Sequence, residues 1–148
     1  MNFQLFIIKR LKLNLMLKSF NPIIVVAGEP RSVFLELYIK NISKFKKYPL
    51  ILIASQKLII DQMKLLKIVK KINIIDIKRT NYKNLNNNQI NLINVDLVYK
   101  SLDEIKVKES NDYIKKCFDV AIFLLNRNKK LNLINGPIIK KDFLKNKY

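Results

Sequence analysis

Histidine is absent from the 148 residues, and cysteine occurs once, at Cys117. Chemistry that needs an imidazole is therefore beyond this sequence: histidine general bases, Ser-His and Cys-His nucleophile pairs, and histidine-ligated metals. A single cysteine also rules out an intrachain disulfide and agrees with a reducing compartment. The carboxylates form no evident acid/base pair. Asp61, Asp76, Asp96 and Asp119 stand isolated and Asp103-Glu104 falls in a loop, so solvated surface charge is the reading for all of them. Neither G-x-G-x-x-G nor G-x-x-x-x-G-K-[ST] is present, which removes the common phosphate-cradling loops. What remains is glycine. Average usage would place about 10 glycines in a chain this long. This one has two, Gly28 and Gly136, each beside a proline in Gly28-Glu29-Pro30 and Gly136-Pro137. Both are expected at the carboxyl end of a strand, the edge where ligands bind in open α/β sheets. On this geometry alone a tight strand-to-helix turn is the favoured explanation of each, with a site as the alternative.

The elements that would position them follow from apolar periodicity. Ile23 to Ala27 is a continuous apolar run, as expected of a strand buried on both faces. After Gly28-Glu29-Pro30, Ser32 is placed to cap a helix carrying Phe34, Tyr38, Ile42 and Phe45. Leu50 to Ala54 reads as a second buried strand. Gln56 to Val69, with Leu58, Gln62, Leu65, Leu66 and Val69 on one side, reads as a second helix. Ile72 to Ile77 is a third strand, Asn81 to Gln89 a polar loop, and Ile90 to Val95 a fourth strand. An irregular stretch leads to Ser110, expected to cap a helix containing Tyr113, Ile114, Cys117, Phe118, Ala121, Ile122 and Leu125. Cys117 falls on its apolar face and reads as a small buried hydrophobe. Leu131 to Ile134 is a last strand running into Asn135-Gly136-Pro137. Strand and helix alternate, and the strands are continuous apolar runs. The fold class is therefore α/β, with a mostly parallel sheet and helices on its faces.

This order of motifs resembles the amino-terminal portion of the 4-hydroxythreonine-4-phosphate dehydrogenase family of pyridoxal phosphate synthesis. That family begins with an apolar strand running into G-[DE]-P-x-G-I-G-P-E. Here the stretch is Ala27-Gly28-Glu29-Pro30-Arg31-Ser32-Val33-Phe34-Leu35-Glu36: Gly28, Glu29, Pro30 and Glu36 match, and Ser32 to Leu35 replace the inner Gly-Ile-Gly-Pro. The family's later T-[GA]-P-x-x-K appears as Asn135-Gly136-Pro137-Ile138-Ile139-Lys140, with asparagine in place of threonine. Leu50 to Ser55, Leu58 to Ile68 and Ile90 to Val95 resemble the intervening strands and helix. The resemblance runs from Asn21 to about Lys145 and covers under half of a family member.

The resemblance implies an NAD-dependent oxidoreductase with a divalent metal held by histidines, working as a homodimer with its sites near the subunit interface. Such enzymes oxidise the 4-hydroxyl of a phosphorylated hydroxy amino acid, and the β-keto acid formed then decarboxylates. The metal serves as Lewis acid and NAD as hydride acceptor. The family's metal-binding and substrate-binding histidines lie beyond the second motif, so the resemblance carries no metal ligand and no catalytic residue onto this sequence. It carries seven cleft-edge positions: Gly28, Glu29, Pro30, Glu36, Gly136, Pro137 and Lys140. Glu29 and Lys140 are the two whose side chains can meet a polar ligand. The expectation is a cytoplasmic amino-terminal fragment or shortened version, residues 21–148. It is inactive alone and in need of self-association or of a carboxy-terminal half.

The formal charge of +18, from 29 basic and 11 acidic residues, supports an alternative: a small basic α/β module that binds nucleic acid. Two observations weigh against it. Only Arg10, Arg31, Arg79 and Arg127 are arginine, the better reader of bases and phosphates. Ile, Lys and Asn also abound together, as A/T-rich codons would produce, and the lysines are spread along the whole chain. Residues 1–20 are apolar with interspersed lysine. Their uncharged stretches fall short of the roughly 20 residues a membrane span needs. Leu5, Ile8, Leu11 and Leu15 could line a basic amphipathic helix on a membrane surface, or the segment is an extension with translation starting at Met16.

Overall fold

The computed structural model describes residues 21–79, 81–82 and 84–139. The sequence expectations for residues 1–20 and for Lys140 lie outside the described residues. Five strands form one sheet: β1 (Ile23–Val26), β2 (Leu50–Ala54), β3 (Ile72–Ile74), β4 (Ile90–Asn94) and β5 (Asn132–Asn135), in the order β3-β4-β2-β1-β5. Every pairing is parallel. Three helices connect them: α1 (Phe34–Asn41), α2 (Gln56–Leu66) and α3 (Val107–Arg127). The α/β class read from the sequence is the one observed.

The topology follows from the apolar runs. β2 is buried along its whole length, and Ile24 to Val26 of β1 likewise, so both faces of the central sheet must be covered. From β1 the chain moves through α1 to β2 and onward through α2 to the β3 edge. From β4 it returns through α3, past β2 and β1, to β5 at the other edge. Right-handed crossovers in opposite directions put α3 on the face opposite α1 and α2. Tyr113, Ile114, Cys117, Ala121 and Leu124 of α3 pack on the sheet. Cys117 is fully buried, and burial pushes its thiol up to about 12 against the lowering effect of the Tyr113 hydroxyl.

Several local expectations are corrected. α1 starts at Phe34 behind Val33, so Ser32 is not its cap, although its Oγ accepts from Phe34 N–H at 3.4 Å. A short 3₁₀ turn, Ile42–Lys44, follows the helix and leaves Phe45 in solvent. Ser55 is the cap that sequence reading missed: its Oγ accepts from Leu58 N–H at the start of α2. α2 stops at Leu66 because Lys67 turns left-handed at φ 53°. Leu65 and Val69 therefore face solvent and not the core. β3 ends at Ile74, three residues early. α3 begins at Val107, with Glu109 accepting from Lys106 N–H, so Ser110 lies inside its first turns and caps nothing. Ile122 is exposed.

The asparagine-rich segment before β4 is a loop, as read, and it is tied down. Asn87 accepts from Leu50 N–H at 2.8 Å and donates to the carbonyls of Tyr48 and Phe45. Asn91, fully buried on β4, donates to Leu50 O and Asn86 O and accepts from Asn73. These amides satisfy backbone groups that burial would otherwise leave unpaired.

Candidate functional site

A parallel sheet delivers all its carboxyl ends to one edge. Here that edge gathers the segments after β1, β2, β4 and β5. After β1 and β5, which are neighbours, the two motifs meet. Gly136 N–H donates to Val26 O and Glu29 N–H donates to Pro137 O, both at 2.8 Å. Gly28 has φ +78°, and a β-carbon on it would lie 2.9 Å from the Gly136 carbonyl carbon and closer still to Pro137 O. A β-carbon on Gly136 would lie 2.9 Å from the Phe34 ring and would strike Ala27 O. The two glycines of the chain thus sit against each other, because only backbone fits between these loops. Asn135, which stands where the resembled family has threonine, donates its amide to Gly136 O at 2.8 Å.

Glu29 sits beside this clasp with its side chain 11% exposed. The buried Ser110 hydroxyl donates to its Oε2 at 2.7 Å, and Arg31 Nε lies 3.4 Å from Oε1. The carboxylate thereby ties the loop after β1 to the first turns of α3, whose amino-terminal dipole favours a negative charge. Pro30 is buried and Pro137 exposed. Glu36 pairs with Lys40 one turn along α1, at 2.5 Å. Of the carried positions, the structure brings together Gly28, Glu29, Gly136 and Pro137, and sets Glu36 in its own helical ion pair.

Beyond the ends of β2 and β4, on the same edge of the sheet, lies a cleft of about 660 Å³. Its floor is Ser55, Asn94 and Asp96, and its walls are the first turns of α2 and the segment Leu97 to Tyr99. Asn94 Oδ1 accepts from Gln56 N–H, and its amide donates to Asp96, fixing the floor. Asp61 proves to be the hub of the wall, not the isolated charge that sequence reading made it. Lys57 and the Tyr99 hydroxyl both donate to its Oδ2 at 2.7 Å, and Lys64 lies 3.9 Å from Oδ1. Lys57 also stands 3.5 Å over the Tyr99 ring. The hydrogen bonds from Lys57 and Tyr99 hold the Asp61 carboxyl below its ordinary value. Burial, then the bond to Asp61, raises the Tyr99 hydroxyl. No sequence signal marked this group, because Asp61 and Tyr99 meet only through the fold. The nearest available hint was the i, i+4 spacing of Lys57 and Asp61.

These residues can present cations, carboxylates and amides to a polar ligand. They do not suit a metal: the sequence has no histidine, and among the described residues no three of Cys, Asp and Glu converge. Among the described residues no helix is long and apolar enough to cross a membrane.

The architecture is that of an open, parallel α/β sheet whose strands bring their carboxyl ends to one edge. The sequence matches no protein-family model and no curated protein. Among solved structures it is similar to a 4-hydroxythreonine-4-phosphate dehydrogenase from Burkholderia phymatum. The TM-score is 0.67 and the identity 16%, over 88% of this chain and 40% of that one. It is likewise similar to the 4-hydroxythreonine-4-phosphate dehydrogenase of Klebsiella pneumoniae, with TM-score 0.67 and 17% identity, over 84% of this chain and 38% of that one. At such identity the likeness shows a shared fold. The chain spans about 40% of the length of the structures it matches.

Proposed function

We propose that this chain is the amino-terminal α/β portion of an oxidoreductase of the 4-hydroxythreonine-4-phosphate dehydrogenase kind. Its role is to build one wall of the substrate cleft in vitamin B6 synthesis. The observation that supports this is the clasp: Gly28-Glu29-Pro30 and Gly136-Pro137, which carry most of the sequence resemblance, meet at the carboxyl edge of a sheet with that fold. The whole reaction would be the NAD-dependent oxidation, with decarboxylation, of a phosphorylated hydroxy amino acid. Among the described residues no three of Cys, Asp and Glu converge to hold the metal such a reaction uses, and the sequence carries no glycine-rich loop for the dinucleotide phosphates. Both groups would be held by polypeptide outside this sequence, in a cytoplasmic assembly of two copies. This chain would contribute the cleft edge and no catalytic group.

The test is complementation. The chain is expressed alone and together with a histidine-bearing carboxy-terminal portion of the Klebsiella pneumoniae enzyme. NADH formation from 4-phosphohydroxy-threonine is then followed. The expected result is turnover with both portions and none with either alone. Turnover by this chain alone would overturn the assignment of all catalytic groups to other polypeptide. Failure of the two portions to associate would overturn the shared-cleft reading.

A further inference from the structure

Arginine is scarce in this chain, four of 29 basic residues, against a background in which lysine is the default cation. Two of the four converge from distant parts of the sequence. Arg79, from the segment between β3 and β4, and Arg127, the last residue of α3, line one pocket of about 110 Å³ with Tyr82, Leu124 and Asn128. Arg79 is held by its Nε, which donates to Asn81 O at 2.6 Å, while the Tyr82 hydroxyl donates to Arg79 O at 2.8 Å. Arg127 is held through its face, 5.2 Å from the centroid of the Phe123 ring. Both guanidinium charges act on the buried Tyr82 hydroxyl, opposing the upward push of burial. Among the described residues, the ion pairs involve other side chains, and neither guanidinium faces a carboxylate. Two like charges gathered on one small pocket repel unless an anion joins them. A guanidinium differs from lysine in its planar fork, which meets a phosphate oxygen pair with two parallel hydrogen bonds.

We infer that Arg79 and Arg127 form a binding site for a single phosphate group, free or as a monoester. The site lies at the end of the sheet opposite the glycine clasp. A pocket of this size takes one tetrahedral oxyanion and is far smaller than the several hundred Å³ typical of drug-sized ligands. The last carbonyls of α3 present the negative end of its dipole and disfavour an anion. Binding must therefore rest on the two guanidiniums, and each should matter. The inference stands on this pocket alone and is independent of the proposed function.

The experiment is a titration of the isotope-labelled full chain with inorganic phosphate at constant ionic strength, read by amide NMR shifts. Glycerol phosphate forms a second arm and chloride the control. Saturable shifts centred on Arg79, Tyr82, Arg127 and Asn128 are expected. Arg79→Lys and Arg127→Lys keep the charge but lose the fork, so each should weaken binding about tenfold. Lys108→Met removes a charge at the opposite end of α3 from Arg127 and should leave it unchanged. An equal response to glycerol phosphate assigns a phosphomonoester site, and a response to inorganic phosphate alone assigns a free-ion site. Shifts spread over the lysines, or binding indifferent to both arginine variants, would overturn the site in favour of bulk charge. Should a variant lose its dispersed spectrum, the wild-type pattern decides: shifts confined to the pocket support the site, and diffuse or absent shifts overturn it.

Discussion

Gly28 and Gly136 each answer for the other: the β-carbon either lacks would lie in the space the other's loop occupies. Gly28→Ala should accordingly cost about 2–4 kcal/mol, from left-handed strain plus the collision with Gly136 and Pro137, as measured by urea unfolding. Composition made these two residues legible, since scarcity singled them out. What they touch was not legible, because no local pattern links positions so far apart. The Ser110–Glu29 bond is of the same kind: serine near a helix start reads as a cap, and only the fold reveals a strut. Asp61 supplies a second test at this scale. Its folded pKa lies below its unfolded value of about 4, so its stabilising contribution is present above that value. It is lost as pH falls through the folded one. Asp61→Asn should remove this part of the acid destabilisation, seen by comparing urea midpoints of both proteins at about pH 6 and about pH 3.

At the scale of elements, apolar runs located the strands; β1, β2 and β4, the largely buried ones, need no alternation, while the edge strands β3 and β5 are short and partly exposed. Helix ends fared worse. α2 was read three residues too long because periodicity persists past Leu66 while the backbone reverses at Lys67. A lysine at φ 53° occupies the position where helices usually place glycine. Lys67→Gly should relieve this strain and stabilise the chain by about 0.5–1 kcal/mol. A higher urea midpoint with an unchanged slope would bear this out. A lower midpoint would mean that the lysine stem packs usefully on Ile68 and Met63, its neighbours along a shallow surface groove.

At the scale of the molecule, cover is uneven. β2 is buried throughout, whereas β5, at the sheet edge, leaves Asn132, Ile134 and Asn135 in solvent. An exposed parallel edge with an apolar side chain is a template for further pairing. The chain by itself should therefore self-associate, with sedimentation showing mass that grows with concentration. A cooperative monomer at all concentrations would mean that this edge needs no partner. Replacing Ile134 by Lys should reduce the association without unfolding the sheet. Cys117 bears on the molecule in a different way. The chain has no tryptophan, so it lacks the usual optical signal of unfolding. It has instead one thiol at the centre of α3, shielded from water and held protonated by burial. Only the thiolate attacks a labelling reagent, and in an open chain the thiol returns to an ordinary pKa of about 8.5. The rate at which this atom takes up a reagent is thus a clock for how often the core comes apart, wound by the fold itself.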